Sequence, residues 1–287
     1  MKSILVTGGN GQLGRCIKDV SQSSKEYSFI FTDKEELDIT NIENVNAFFE
    51  NNTIAYCINC AAYTAVDKAE SEKTAAEALN VYGVENLAKA CAQNNAVLIH
   101  ISTDFVFDGK QTKPYNEADE PKPINNYGAT KLKGEKVIEK LLKRYFIIRT
   151  SWLYSEYGNN FFKTMLRLGN MKNEVRVVSD QIGTPTYARD LAILLVSIIK
   201  KNKIPFGIYH YSNEGEASWY DFAKTIFDYS NIDIKIQPIK TKDFLASSKR
   251  PLYSVMDKSK LKDSFRFAIP HWKESLKECI NRLTLNK

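Results

Sequence analysis

The chain has 287 residues, 43% hydrophobic and 26% charged, with a net charge of +6. That is enough for one large domain or two closely packed ones, in a composition ordinary for a soluble globular protein. The basic residues are scattered without a dense tract, which argues against a nucleic-acid partner. The longest apolar run, Leu191 to Ile199 with Ser197 inside it, is too short to span a bilayer, which argues against a membrane protein. The opening Ile4-Leu5-Val6 runs straight into glycine, unlike a secretory signal. Five cysteines, an odd number, point to free thiols and a cytoplasmic location.

Strands and helices alternate through the first half. Lys2–Thr7 predicts a short apolar strand, followed by a glycine loop and a helix from about Gln12 to Ser21. Ser28–Thr32 is a second strand ending at Asp33, Val45–Glu50 a helix, and Ile54–Asn59 a strand. Ser71–Asn94 predicts one long helix, Val97–Ser102 a strand, Tyr127–Leu142 a helix and Phe146–Arg149 a strand. Apolar strands alternating with helices imply a parallel sheet covered on both faces. The connection from Asp104 to Asn126 is long and aperiodic, and it leaves a strand at the end where open α/β sheets bind ligands.

The second half is less regular. Asn160–Leu168 predicts a helix, Val175–Val178 a strand, Thr186–Lys200 an apolar helix and Ile208–Ser212 a strand. Ser218–Tyr229 is an amphipathic helix with Ser218 as N-cap. The tail from Ile232 mixes short strands, a lysine-rich helix and the basic turn Lys249-Arg250-Pro251. The expected architecture is α/β, a Rossmann-type doubly wound parallel sheet with a smaller carboxyl-terminal lobe. Residues 1–151 and about 175–212 are assigned to the sheet domain, and 152–174 and about 213–287 to the lobe.

Gly8-x-x-Gly11-x-x-Gly14 follows a strand and opens a helix, the context a dinucleotide-binding loop requires. Glycines there allow a tight turn and close backbone approach, and the helix N-terminus faces a pyrophosphate. Asp33, about 19 residues after Gly14 at the end of the second strand, is placed to accept from an adenosine ribose. Asp33 disfavours a 2′-phosphate and Lys34 attracts one, so both NADH and NADPH stay open. Cys57-x-x-Cys60 sits in a buried strand and its exit, and reads as structural rather than as a redox or zinc motif.

Tyr127 and Lys131, four apart, lie on one helix face. An ammonium beside a phenol favours the phenolate and lowers the tyrosine pKa, making a proton donor or acceptor for a carbonyl or alcohol. Thr103 ends the strand upstream.

These motifs together resemble the extended short-chain dehydrogenases/reductases. Thr64-Ala-Val-Asp-Lys-Ala-Glu70, Ser102-Thr-Asp-Phe-Val-Phe-Asp-Gly109, Pro114-Tyr-Asn-Glu117, Arg149-Thr-Ser-Trp152, Gly158-Asn-Asn-Phe161, Asp180-Gln-Ile-Gly-Thr-Pro-Thr186 and Arg250-Pro-Leu-Tyr-Ser-Val255 narrow the resemblance to the dTDP-4-dehydrorhamnose reductase family. The resemblance covers nearly the whole chain. It implies NADPH- or NADH-dependent reduction of the C4 ketone of dTDP-6-deoxy-L-lyxo-4-hexulose to dTDP-L-rhamnose, for surface polysaccharide. It makes Tyr127 the proton donor, Lys131 the ligand of the nicotinamide ribose and Thr103 a hydrogen-bond partner of the substrate oxygen. Gly8, Gly11, Gln12, Leu13, Gly14, Asp33, Asp38, Ile39, Ala62, Tyr63 and Thr64 fall on the cofactor side. Asp104, Trp152, Asn160 and Arg250 fall on the sugar-nucleotide side, Arg250 through a bidentate fork on the diphosphate.

Departures from the pattern also carry information. Related 4,6-dehydratases follow the catalytic threonine with Asp-Glu, whereas Phe105 follows Asp104 here, which argues against dehydration. Some family members hold magnesium at a dimer interface with glutamates. The matching positions are Cys16 and Arg189, so no such metal is expected, and a monomer or weak homodimer is. Two other readings remain: a 4-ketoreductase for another deoxy-sugar nucleotide, and a non-catalytic protein resembling the regulatory subunit of methionine adenosyltransferase.

Overall fold

Six short strands build one parallel sheet in the order β10-β5-β4-β3-β1-β2 in a computed structural model that describes residues 2–22, 26–201 and 204–285. They are β1 (Lys2–Thr7), β2 (Tyr27–Thr32), β3 (Ile54–Asn59), β4 (Val97–Thr103), β5 (Tyr145–Thr150) and β10 (Gly207–His210). The helices between them are α1 (Gln12–Ser21), α2 (Ile42–Asn51), α3 (Lys73–Glu77), α4 (Val84–Gln93), α5 (Asn126–Leu141) and α7 (Ala188–Lys200). β4 is buried on both faces because helices cover both: Ile99 packs into a cluster with α1 and α7, and Leu98 into one with α2, α4 and α5. After β1 the chain moves outward to β2 and then returns to β3 on the other side of β1. The glycine loop therefore emerges at the point where strand order reverses, the usual ligand crevice of such sheets.

A third cluster holds α6 (Phe161–Met171), α8 (Trp219–Tyr229) and α10 (Trp272–Leu285) against paired strands β7 (Glu174–Val178) and β12 (Lys235–Ile239). Short strands β6 (Leu153–Tyr154) with β9 (Thr186–Tyr187), and β8 (Ile182–Gly183) with β11 (Ala217–Ser218), complete this region. α9 (Ser259–Phe265) returns Leu261 and Phe265 to the core beside α7.

Several expectations need correction. Val175–Val178, assigned to the main sheet, pairs instead with β12. Its alternating exposed and buried residues show the reason, since a strand with one wet face does not fit a sheet sandwiched by helices. The helix expected over Ser71–Asn94 widens into a π turn at Ala78–Gly83. There the buried Asn80 side chain accepts from the Tyr63 N–H and donates to the Tyr63 carbonyl and the Thr130 hydroxyl. The helix expected from Thr186 starts at Ala188, because Thr186–Tyr187 pairs with β6 and Asn213 Oδ1 accepts the Tyr187 N–H.

Helix α5 carries the expected catalytic pair, and three features fix it. Asn125 caps it, accepting from the Gly128 N–H at 2.7 Å. Gly128 admits the Phe105 carbonyl, which would lie 2.1 Å from a Cβ at that position. Two turns on from Tyr127, buried Glu135 accepts from Arg149 of β5 at 3.0 Å (Nε) and 2.7 Å (Nη2) and from Ser102 of β4 at 2.5 Å. Removing one partner of such a pair leaves an uncompensated buried charge and costs about 3–5 kcal/mol. Arg149→Met is expected to destabilise the protein by about that amount. A chemical-denaturation midpoint equal to that of the parent would contradict this assignment.

Candidate active site

A cleft of about 520 Å³ opens at the carboxyl ends of the main-sheet strands. Gly8, Gly11, Gln12, Leu13 and Gly14 of the glycine loop line it, with Thr103, Asp104, Tyr127 and Lys131 at the floor and Trp152, Asn160 and Arg250 on the walls. Ala62 and Thr64 also line it. The fold thus brings together fourteen of the expected residues, counted from that lining. Asp33, Asp38, Ile39 and Tyr63 are not in the lining.

The glycine loop fits a dinucleotide. Gly8 has φ +64°, and a Cβ there would lie 2.8 Å from the Ala61 nitrogen, so only glycine lets the loop cross the exit of β3. Gly11 occupies the N-cap of α1 without a side-chain cap, and the first turn of α1 holds no acidic residue. Its leading N–H groups and the positive end of its dipole are left for an anion at the cleft. Asp33 stands behind the loop, its Oδ2 accepting from the Asn10 N–H at 3.0 Å.

The other outlying positions have local duties. Asp38 Oδ1 accepts from the Thr40 hydroxyl at 2.6 Å, and that bond holds its carboxyl below the usual range. Ile39 is buried in the core beside α4. The Tyr63 hydroxyl turns away to Glu72 at 2.7 Å.

On the floor, Tyr127 packs edge-on against Phe105 with centroids 5.8 Å apart. Burial pushes its phenol up to about 12; the Thr103 hydroxyl opposes that shift and the Asp104 carboxylate adds to it. This departs from the expectation that Lys131 lowers the Tyr127 pKa. The Lys131 ammonium is held elsewhere, donating to the Ile101 carbonyl at 2.7 Å and lying 3.2 Å from His100 Nε2. Burial lowers Lys131 itself to about 8, with Glu135 and Cys60 pulling the other way. Burial raises the Asp104 carboxyl to about 6, opposed by the Ser254 and Thr103 hydroxyls. Asp104 Oδ2 and Thr150 Oγ1 are buried without a partner, and both residues line the cleft. Buried polar atoms are rarely left so, and a bound hydroxyl would satisfy them.

One wall is aromatic. Trp152 stacks on Trp219 with centroids 3.6 Å apart and planes 8° from parallel, and Phe161 packs on Trp219 at 4.6 Å. Trp152 has φ +46°, a left-handed conformation unusual for a bulky residue and held by this packing. Asn160 spends its side chain on structure, capping α6 through the Lys163 N–H and donating to the Ser155 and Tyr157 carbonyls and Gln12 Oε1. The Arg250 fork is engaged by Asp67 at 2.6 Å (Nη2–Oδ2) and 3.2 Å (Nη1–Oδ1). The ion pair lowers the Asp67 carboxyl.

Sequence reasoning missed Trp219, Phe161, Thr150 and Ser151 of the lining. Phe161 closes the quoted Gly158-Asn-Asn-Phe161 motif, so a signal was present. Nothing local marks Trp219, which reaches the cleft only through the packing of α8. The Cys57-x-x-Cys60 thiols are free, Cys57 in the core and Cys60 in the cleft lining.

The family model described as "RmlD substrate binding domain" matches residues 1–285. A dTDP-4-dehydrorhamnose reductase from Aggregatibacter actinomycetemcomitans is 40% identical over 96% of this chain and 98% of its own. The structure of a dTDP-4-dehydrorhamnose reductase from Clostridium acetobutylicum superposes with a TM-score of 0.94 at 46% identity, covering 98% of this chain and 99% of that one. The corresponding Bacillus anthracis enzyme, solved in complex with NADP, gives 0.94 at 42% identity, covering 98% and 100%. With its Rossmann-type sheet, glycine loop and threonine–tyrosine–lysine floor, the chain belongs to the RmlD substrate-binding-domain family.

Proposed function

We propose that this chain reduces the C4 ketone of dTDP-6-deoxy-L-lyxo-4-hexulose to dTDP-L-rhamnose, with NADPH or NADH, for surface polysaccharide synthesis. The observation that carries the reading is one cleft holding an anion-ready glycine loop, with Thr103, Tyr127 and Lys131 at its floor. The bound dinucleotide supplies the hydride. The chain supplies the proton and the electrostatics.

Reduction at C4 builds negative charge on the carbonyl oxygen, and a donor already in place lowers that barrier. Tyr127 is assigned the proton transfer. A phenol pushed up to about 12 stays protonated at neutral pH, as a resting acid must. Thr103, on the same floor, donates a second hydrogen bond to that oxygen. Lys131, cationic below about pH 8 and held by the Ile101 carbonyl, is assigned the nicotinamide ribose. Asp104 and Thr150 hold unsatisfied polar atoms for sugar hydroxyls. The indole of Trp152 offers a flat apolar wall, and Arg250, steadied by Asp67, brings positive charge toward the diphosphate. Asp33 beside the loop suits an adenosine ribose hydroxyl, and exposed Lys34 suits a 2′-phosphate.

The free thiols support a cytoplasmic setting. No helix among the described residues is long and apolar enough to cross a membrane. Cys16 is buried in the core and Arg189 pairs with Glu278 at 3.6 Å, so neither of these two positions offers a carboxylate to a magnesium bridge. This supports a monomer or weak homodimer. Light scattering at micromolar concentration is expected to give a mass near 32.7 kDa, and a stable particle of twice that mass would refute it.

The direct test of the activity is loss of NADPH or NADH absorbance on adding dTDP-6-deoxy-L-lyxo-4-hexulose, with the product identified by NMR. The expected product is dTDP-L-rhamnose. Cofactor binding without consumption would overturn the reading.

A further inference from the structure

Thr7, Asn59 and His100 are cross-strand neighbours on β1, β3 and β4, Thr7 and Asn59 as the last residues of their strands and His100 in the middle of its own. All three are buried, as is Lys131. They form one chain of hydrogen bonds. The Thr7 hydroxyl lies 2.7 Å from Asn59 Oδ1, Asn59 Nδ2 lies 3.1 Å from His100 Nδ1, and His100 Nε2 lies 3.2 Å from Lys131 Nζ. The residues of the reduction chemistry use none of this chain beyond Lys131.

The chain cannot satisfy every charge state in one arrangement. With Asn59 Oδ1 accepting from Thr7 and from the Ala61 N–H at 3.2 Å, Asn59 Nδ2 donates to His100 Nδ1. A neutral imidazole then carries its hydrogen on Nε2 and needs an acceptor at Lys131. Only an uncharged amine offers a lone pair. An ammonium is donor-only, so it requires Nε2 as acceptor and the hydrogen on Nδ1. Asn59 must then present Oδ1 to His100 and Nδ2 to Thr7, whose hydroxyl can turn to accept. The Ala61 N–H retains Thr7 Oγ1, already at 3.4 Å. Both arrangements use the same heavy-atom positions, because amide and imidazole orientations differ only in where nitrogen, oxygen and hydrogen sit.

We propose that His100 is a positioning residue for Lys131, holding its amine at the floor of the cleft and switching tautomer, with Asn59, as that amine gains or loses a proton. The net change is one proton exchanged with water, and only N–H bonds form and break. The consequence for reduction rests on Lys131 belonging to the catalytic set. The tautomer switch itself does not.

Other groups face the pair. Glu135 on α5 is tied to Arg149 and Ser102, the Cys60 thiol follows β3, and Tyr127 is one turn up α5. Burial holds His100 well below its ordinary value, so the imidazole stays neutral and only its tautomer changes.

Imidazole ¹⁵N chemical shifts of the unmodified protein test the switch directly. The chain has three histidines, and His210 is an internal reference with its Nδ1 3.1 Å from the Tyr115 carbonyl, which fixes its hydrogen on Nδ1. His100 is expected to change from Nδ1–H to Nε2–H as pH rises through about 8, where Lys131 loses its charge. One unchanged tautomer from pH 6.5 to 9.5 would overturn the proposal whether or not the sugar nucleotide is reduced. In turnover, His100→Leu removes the acceptor for the ammonium and is expected to move the alkaline limb of kcat down by about one pH unit. His100→Gln, which restores an acceptor, is expected to recover most of that shift. A reduced rate with the limb unmoved in His100→Leu would mean a packing role alone.

Discussion

The buried Glu135–Arg149 pair sets the rest of the site. Tyr127, Lys131 and Glu135 recur every four residues along α5, so one helix face carries all three. Glu135 is bound by side chains from β4 and β5 at its far end, and the Phe105 carbonyl fits against Gly128 at its near end. Rotation or translation of α5 would break one anchor or the other. The phenol is therefore held over the end of β4, beside Thr103, before any ligand arrives. Ion pairs this deep are expensive to desolvate, and their return here is positional.

The carboxyl ends of the strands share a second constraint. Apolar strands sandwiched by helices carry polar residues here, Thr7 at the end of β1, Asn59 at the end of β3, His100 in the middle of β4 and Thr103 at its end. Each of these polar groups must find a partner, because an unpaired one costs roughly 1–3 kcal/mol. Thr7, Asn59 and His100 find it in one another and in Lys131, and Thr103 finds it in Asp104 and the Phe105 N–H, so the floor below the cleft is wired. Burial then shifts the groups in directions that suit reduction: the phenol upward, so that it remains an acid, and the ammonium downward, so that its charge responds near neutral pH. Lys131 and Tyr127 share one helix and one cleft lining, as helix spacing implies. The predicted electrostatic effect of Lys131 on the phenol is overridden by desolvation and by the competing hold of Ile101 and His100.

Local pattern made most of the nucleotide-binding half legible. Fully apolar runs marked buried parallel strands, and a glycine loop between strand and helix marked the crevice. The lobe was less legible because its parts are joined at long range. β7 pairs with β12 some sixty residues away, a partnership no local window contains. Its alternating burial was nevertheless the clue that it did not belong among strands covered on both faces. The π turn escaped prediction because it depends on Asn80 reaching Tyr63 and Thr130 across the fold. The same holds for the Trp152–Trp219 stack, whose members lie far apart in sequence. Motif matching located Asn160 and Arg250 at the cleft, yet it did not show that Asn160 braces the wall or that Asp67 engages the Arg250 fork.

Tyr127 is the proposed proton donor, and the scaffold around it needs no other acid. Tyr127→Phe keeps the ring against Phe105 and removes only the hydroxyl. Turnover of the keto-sugar nucleotide is expected to fall on the order of 100-fold or more while the affinity for NADPH, read by fluorescence titration, is retained. A Tyr127→Phe enzyme that turns over at the rate of the parent would contradict that role.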